Sequence, residues 1–240
     1  MNLRRTTRAR PATPVRPDLT ALPVSPGPGG SAGSAGRSAD FALFPVPTGI
    51  HLGTGRTGAP VTLAPYGPAG TRIGVLGESL FGRLLACRLV ATGAAVTALT
   101  RGPSLWTPLG AACGTRLTVT DDAGAWPPRP GAAPGSGTGP QALVTDLPKP
   151  PGRAVGQGAW TTVVHVVRRA PARSAHWQQP HAVLVLGASY ADAVTPVLGP
   201  EAGRLAASLA HGEIALFRPG GADVLRPDIA PAETSLLRPG

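Results

Sequence analysis

The chain has 240 residues, room for one ordinary domain with tails or for two small ones. Its 33 glycines and 29 prolines are about a quarter of the sequence, near the range in which low-complexity segments occur. The net charge of +10 comes almost wholly from arginine, since Lys149 is the only lysine, and most of those arginines are scattered. With two Tyr and four Phe there is little of the stacking apparatus that single-strand nucleic-acid binders use, so specific nucleic-acid binding is excluded as the leading reading. Cys87 and Cys113 form neither a disulfide framework nor a zinc site. A cytoplasmic setting fits. The N-terminus lacks the apolar stretch of a signal peptide, and no segment is apolar for long enough to span a membrane.

In chain order, residues 1–40 are rich in Arg, Pro, Gly and Ser and are read as a disordered tail. Arg4, Arg5, Arg8 and Arg10 would make it a basic arm in the alternative reading. Residues 41–240 are read as one α/β domain with a three-layer, mostly parallel sheet and a Rossmann-like start. "GIHLGT" and "APVTLA" pair as a hairpin across "GRTG". A buried strand follows at 72–76, then a helix from about Ser79 to Thr92 closed by Gly93, then a strand at 95–100. "SLWTPLGAA" is a short helix broken by Pro108, and "RLTVTDD" is a strand. Residues 123–140 read as a disordered surface loop. The strands "ALVTD", "TTVVHVV" and "AVLVLG" come next, then the helix "GPEAGRLAASLAHG" and a closing hairpin of "EIALFR" and "ADVLRP". Continuous apolar strands of this kind belong to a sheet covered on both faces.

The chemistry lies in the turn between strand 72–76 and its helix. As a dinucleotide fingerprint the spacing gives Gly77, Ser79 and Gly82. No acidic residue stands where a ribose hydroxyl would be held. Arg101 is there instead, which points to the 2′-phosphate of NADP. As a P-loop the same turn gives Gly77 and Gly82, followed by Arg83 and Leu84 where Lys and Ser/Thr belong. Asp146 ends "ALVTD" as a Walker B aspartate would, but Leu147 follows it where an ATPase carries a catalytic Glu. Glu78 puts a carboxylate where an anion would sit. Without a ligand, Glu78 and Ser79 would cap the helix, a contribution of ~0.3–1 kcal/mol.

The remaining candidates are thinner. Ser79 in "GESLFG" fails the nucleophile-elbow pattern at Phe81, although Asp192 and His211 follow in a hydrolase-like order. His176 and His181 flank "WQQP" and read as surface histidines in a loop rather than zinc ligands. His165 reads as a hydrogen-bonded core residue, and Arg168 and Arg169 as solvent-facing.

The stretch "GIHLGTGRTGAPVTL…TRIGVLGESLFGRLLACRLV" resembles the opening of FtsK/HerA-type translocase modules. With "VTALTRGPSLW" and "DIAPAETSLL", it also resembles a group of actinobacterial proteins associated with type VII (ESX-type) secretion. The resemblance covers residues 49–106 and 225–240. It implies a cytoplasmic accessory protein with a degenerate nucleotide-binding fold and protein partners at a secretion machine. The residues and the resemblance together point to a non-catalytic accessory or scaffold protein, not an enzyme, with no cofactor. The alternative is an NADP-binding oxidoreductase or NADP-sensing domain using Gly77, Ser79, Gly82, Arg83 and Arg101. That alternative requires strand 95–100 to lie directly beside strand 72–76. The short link at Gly93 favours such adjacency, because short connections usually join neighbours. An FtsK/HerA-type fold instead has a strand inserted between the two.

Overall fold

The computed structural model describes residues 49–122, 124, 126, 129–152 and 154–238. The proposed tail, 1–40, lies outside them. Ten strands form one sheet: β1 (Ile50–Gly55), β2 (Pro60–Leu63), β3 (Thr71–Leu76), β4 (Ala95–Leu99), β5 (Leu117–Thr120), β6 (Gln141–Thr145), β7 (Thr161–Val167), β8 (Ala182–Val185), β9 (Ile214–Arg218) and β10 (Gly221–Pro227). Their spatial order is β2-β1-β10-β9-β8-β3-β7-β6-β4-β5. The six strands from β8 to β5 run parallel. The four from β2 to β9 pair antiparallel, and β9 joins β8 antiparallel. Both expected hairpins are present, with Ile50 opposite Leu63 in one and Leu225 opposite Ile214 in the other.

Helices cover both faces. On one, α1 (Ser79–Ala91), α2 (Thr107–Cys113) and α6 (Pro231–Leu237) pack together. The core beneath them includes Ile73, Val75, Leu84, Leu89, Val144 and Leu184. On the other, Trp177 of α3 (Ala175–Gln178), Val194 of α4 (Ala191–Leu198) and Ala206 of α5 (Pro200–Ala207) pack against Leu76, Val183 and Val185. Alternate residues of one strand, such as Leu184 and Val185, go to opposite cores, as the pleat requires.

The strand order corrects one expectation. β4 does not lie beside β3, because β7 and β6 stand between them. The first crossover passes over two strands and lands on the third. Three steps at about 4.8 Å each make about 14 Å. A helix of 13 residues, about 20 Å long, reaches that far, and α1 packs on β7, β6 and β4. The short turn at Gly93 fixed how the helix feeds β4 but not how many strands it crosses. Adjacency was the premise of the NADP reading, which loses its structural basis here. The FtsK/HerA resemblance implied one inserted strand, whereas two stand here.

Three local differences also appear. Pro108 opens α2, in the first turn where its missing N–H costs nothing, rather than breaking a helix. The segments giving α4 and α6 were not foreseen as helices. His176 lies in α3, not in a surface loop.

Candidate functional site: a cleft at the carboxyl ends of the parallel strands

β3, β4, β6 and β7 end on the same side of the sheet, and the turns after them enclose a cavity of about 730 Å³. Gly77 and Ser79 come from the β3–α1 turn. Thr100, Arg101 and Leu105 follow β4, Asp146 and Pro148 follow β6, and Arg168 and Arg169 follow β7. In open α/β sheets, ligands bind outside the carboxyl ends of the strands.

Packing requires two glycines of this turn. A Cβ at Gly77 would overlap the side chain of Leu186, and one at Gly82 would come within 2.9 Å of Val166. Both glycines therefore allow close packing of turn and helix on the sheet. The Ser79 hydroxyl donates to Asp146 Oδ2. Glu78 is the residue before α1, but its side chain makes no capping hydrogen bond. Its carboxylate pairs with Arg168 and accepts from the Tyr190 hydroxyl at 3.2 Å. The expectation that Glu78 and Ser79 cap the helix is thus corrected. Both side chains find partners on neighbouring turns, which the sequence does not reveal.

Arg83 lies in the interior, 6% exposed, and its Nη1 donates to the Leu105 carbonyl. Burial lowers its pKa, while the Asp146 carboxylate works the other way. Arg83 and Gly82 do not line the cavity; Gly77, Ser79 and Arg101 do. Leu84 is 1% exposed in the main core. Leu147 packs against the cluster of Leu99, Leu143 and Val163.

Beneath the site, the Trp177 indole N–H donates to His165 Nδ1 at 2.8 Å. An indole nitrogen only donates, so Nδ1 is unprotonated and Nε2 carries the hydrogen. Nε2 then donates to the Leu147 carbonyl at 2.8 Å. This chain fixes the backbone directly after Asp146, and it makes His165 the hydrogen-bonded core residue expected. His176 is also buried, and its Nε2 donates to the Ile73 carbonyl at 3.2 Å. Burial, and after it the neighbouring His165, hold its pKa at about 3. The surface-histidine reading of His176 is therefore corrected. His181 is exposed and accepts the Arg72 backbone N–H at 3.0 Å.

Ser79 has Asp146 as its hydrogen-bond partner and no histidine, so a hydrolase triad with Asp192 and His211 is not assembled. Among the described residues, no three His, Cys, Asp or Glu side chains gather as a metal set. No helix among them is long and apolar enough to cross a membrane. Arg168 and Arg169 are exposed as expected, but they belong to the cavity wall. Their position at the carboxyl end of a parallel strand was the available signal.

No protein-family model matches the sequence, and no curated protein does. The fold is similar to the genome packaging NTPase B204 from Sulfolobus turreted icosahedral virus 2 in complex with AMPPCP, at 11% identity and a TM-score of 0.48, over 68% of this chain and 100% of that one. The same NTPase in complex with ATP-gammaS gives 9% identity and a TM-score of 0.47, over 68% and 100%. B204, the DNA-packaging ATPase from Sulfolobus Turreted Icosahedral Virus, gives 11% and 0.46, again over 68% and 100%. At these values the likeness carries no residue roles to this chain.

Proposed function

We propose that the chain is a non-catalytic accessory or scaffold protein built on a nucleotide-binding type of fold whose hydrolytic groups have been turned over to packing. One observation carries this reading. Leu84 and Leu147, at the positions where a P-loop hydrolase needs a metal-binding hydroxyl and a catalytic carboxylate, are both packed against hydrophobic clusters of the sheet. Neither can ligate Mg²⁺ or activate water. Arg83, at the phosphate-holding position, is outside the cavity lining, with its Nη1 donating to the Leu105 carbonyl. The sequence resemblance of residues 49–106 and 225–240 supports a place beside a type VII-type secretion machine, with protein partners.

The test is ATP turnover by the full chain with Mg²⁺. No metal-dependent phosphate release above the protein-free rate is expected. Turnover that needs Mg²⁺ and disappears in Arg83→Ala, with the variant's melting curve showing it folded, would overturn the reading.

A further inference from the structure

The cleft remains after the glycine turn has been assigned to packing. Its volume of about 730 Å³ lies within the range of small-molecule sites, roughly 300–1,000 Å³. Much of its wall is apolar, from Leu105, Pro148, Val166, Ala170 and Pro171. Three arginines stand on that wall from two different turns: Arg101 after β4, and Arg168 and Arg169 after β7. Among the described residues, Arg101 and Arg169 have no carboxylate partner, whereas Arg168 is held by Glu78. Among the described residues, the carboxylate on the wall is that of Asp146, which is engaged by Ser79. An apolar hollow with unpaired guanidinium groups selects an anionic group on an apolar body, and guanidinium matches phosphate and carboxylate alike.

We propose that this cleft binds a small organic anion, an apolar body bearing a phosphate or carboxylate group, held by Arg101 and Arg169, with the Glu78 carboxylate competing for Arg168. The inference rests on the reading that the glycine turn itself does not hold phosphate. Glu78 already shows the geometry of the competition: its carboxylate occupies Arg168 and is steadied by the Tyr190 hydroxyl. A ligand anion entering the cleft gains Arg168 only by displacing it.

The test is calorimetric titration of the full chain with phenyl phosphate, phenylacetate and inorganic phosphate. One of the two aromatic anions is expected to bind one-to-one, about tenfold or more tighter than inorganic phosphate, because it also buries its ring. Which one binds decides between a phosphate and a carboxylate ligand. Arg101→Ala and Arg169→Ala should each weaken that binding by about tenfold, as loss of a charge-assisted hydrogen bond does. Glu78→Gln should tighten it severalfold. All three residues are exposed, so these variants should melt as the parent does. Binding of neither aromatic anion, binding indifferent to both arginines, or no gain in Glu78→Gln would each overturn the proposal. None of these results depends on ATP turnover, so failure here leaves the non-catalytic reading standing. ATP hydrolysis would sink that reading whatever phenyl phosphate does.

Discussion

His165 and His176 show how a residue's role is set by what surrounds it. The two rings meet edge to face at 5.6 Å, each also against Trp177, and Trp177 fills space that a Cβ at Gly74 would occupy. Burial lowers both imidazoles' pKa values and so disfavours the charged imidazolium in the fold. In the unfolded chain they protonate near the ordinary value of about 6.5. The unfolded chain therefore binds more protons below that pH, and its advantage grows until His176 itself protonates near pH 3. Stability is complete above about pH 6.5 and falls as the pH is lowered through this window. Urea melts between pH 7 and pH 5, above the range where carboxylates titrate, should show this slope. His176→Gln, which keeps a donor for the Ile73 carbonyl, should flatten it. An unchanged slope would mean that His176 is accessible to protons in the fold. The sequence made His165 legible, since an apolar strand surrounds it on both sides. His176 was not legible, because its ring is buried against β3, where its partner Ile73 stands 103 residues earlier in the chain.

At the scale of elements, α1 illustrates the same division. The apolar run from Phe81 to Leu89 predicts a helix buried on most sides, and that is where it lies. Arg88, charged like Arg83 in that run, is not a break in it. It is instead a tie between elements: Nε donates to Glu233 Oε1 at 2.7 Å, Nη2 to Glu233 Oε2 at 2.9 Å, and Nη1 to the His51 carbonyl at 2.6 Å. The pair is mostly shielded, with side-chain exposures of 11% and 18%. Glu233 also accepts the Ala230 backbone N–H at 2.9 Å at the start of α6. One guanidinium thus joins α1, the β1–β2 hairpin and the last helix. Arg88→Ala should cost about 3 kcal/mol, the scale for breaking a shielded ion pair. Hydrogen exchange should show α6 losing protection more than α4, which lies on the other face. Equal loss in both helices would argue for a general effect and against a specific tie.

For the whole molecule, the sheet order determines what depends on what. β1 pairs with β10, so the first hairpin closes the edge that the last one would otherwise expose. It also brings Ile50, Leu52, Val61 and Leu63, all nearly fully buried, to the main core. A chain beginning at Pro65 should therefore lose its cooperative thermal transition and associate through the bared β10 edge. Residues 1–40 are rich in Arg, Pro, Gly and Ser with few apolar groups to bury, so their deletion should leave the thermal midpoint unchanged. Scanning calorimetry of the two deletions checks both outcomes. A clear drop on removing the tail would place it against the domain.

What the sequence determined by itself was local. Apolar runs marked the strands, Gly93 ended α1, and "GRTG" turned the first hairpin. These signals depend on a residue and its near neighbours in the chain. The tertiary structure alone decided that β7 and β6 separate β3 from β4. Parallel strands of Val, Leu and Ala offer nearly the same backbone ladder to any neighbour, so nothing within each strand names its partner. The same holds at the cleft. The fingerprint residues Gly82 and Arg83 went to packing, while Arg168, Arg169 and Asp146 joined Arg101 on one wall. Their meeting depends on which strand ends lie side by side, a choice made by the packing of the whole sheet.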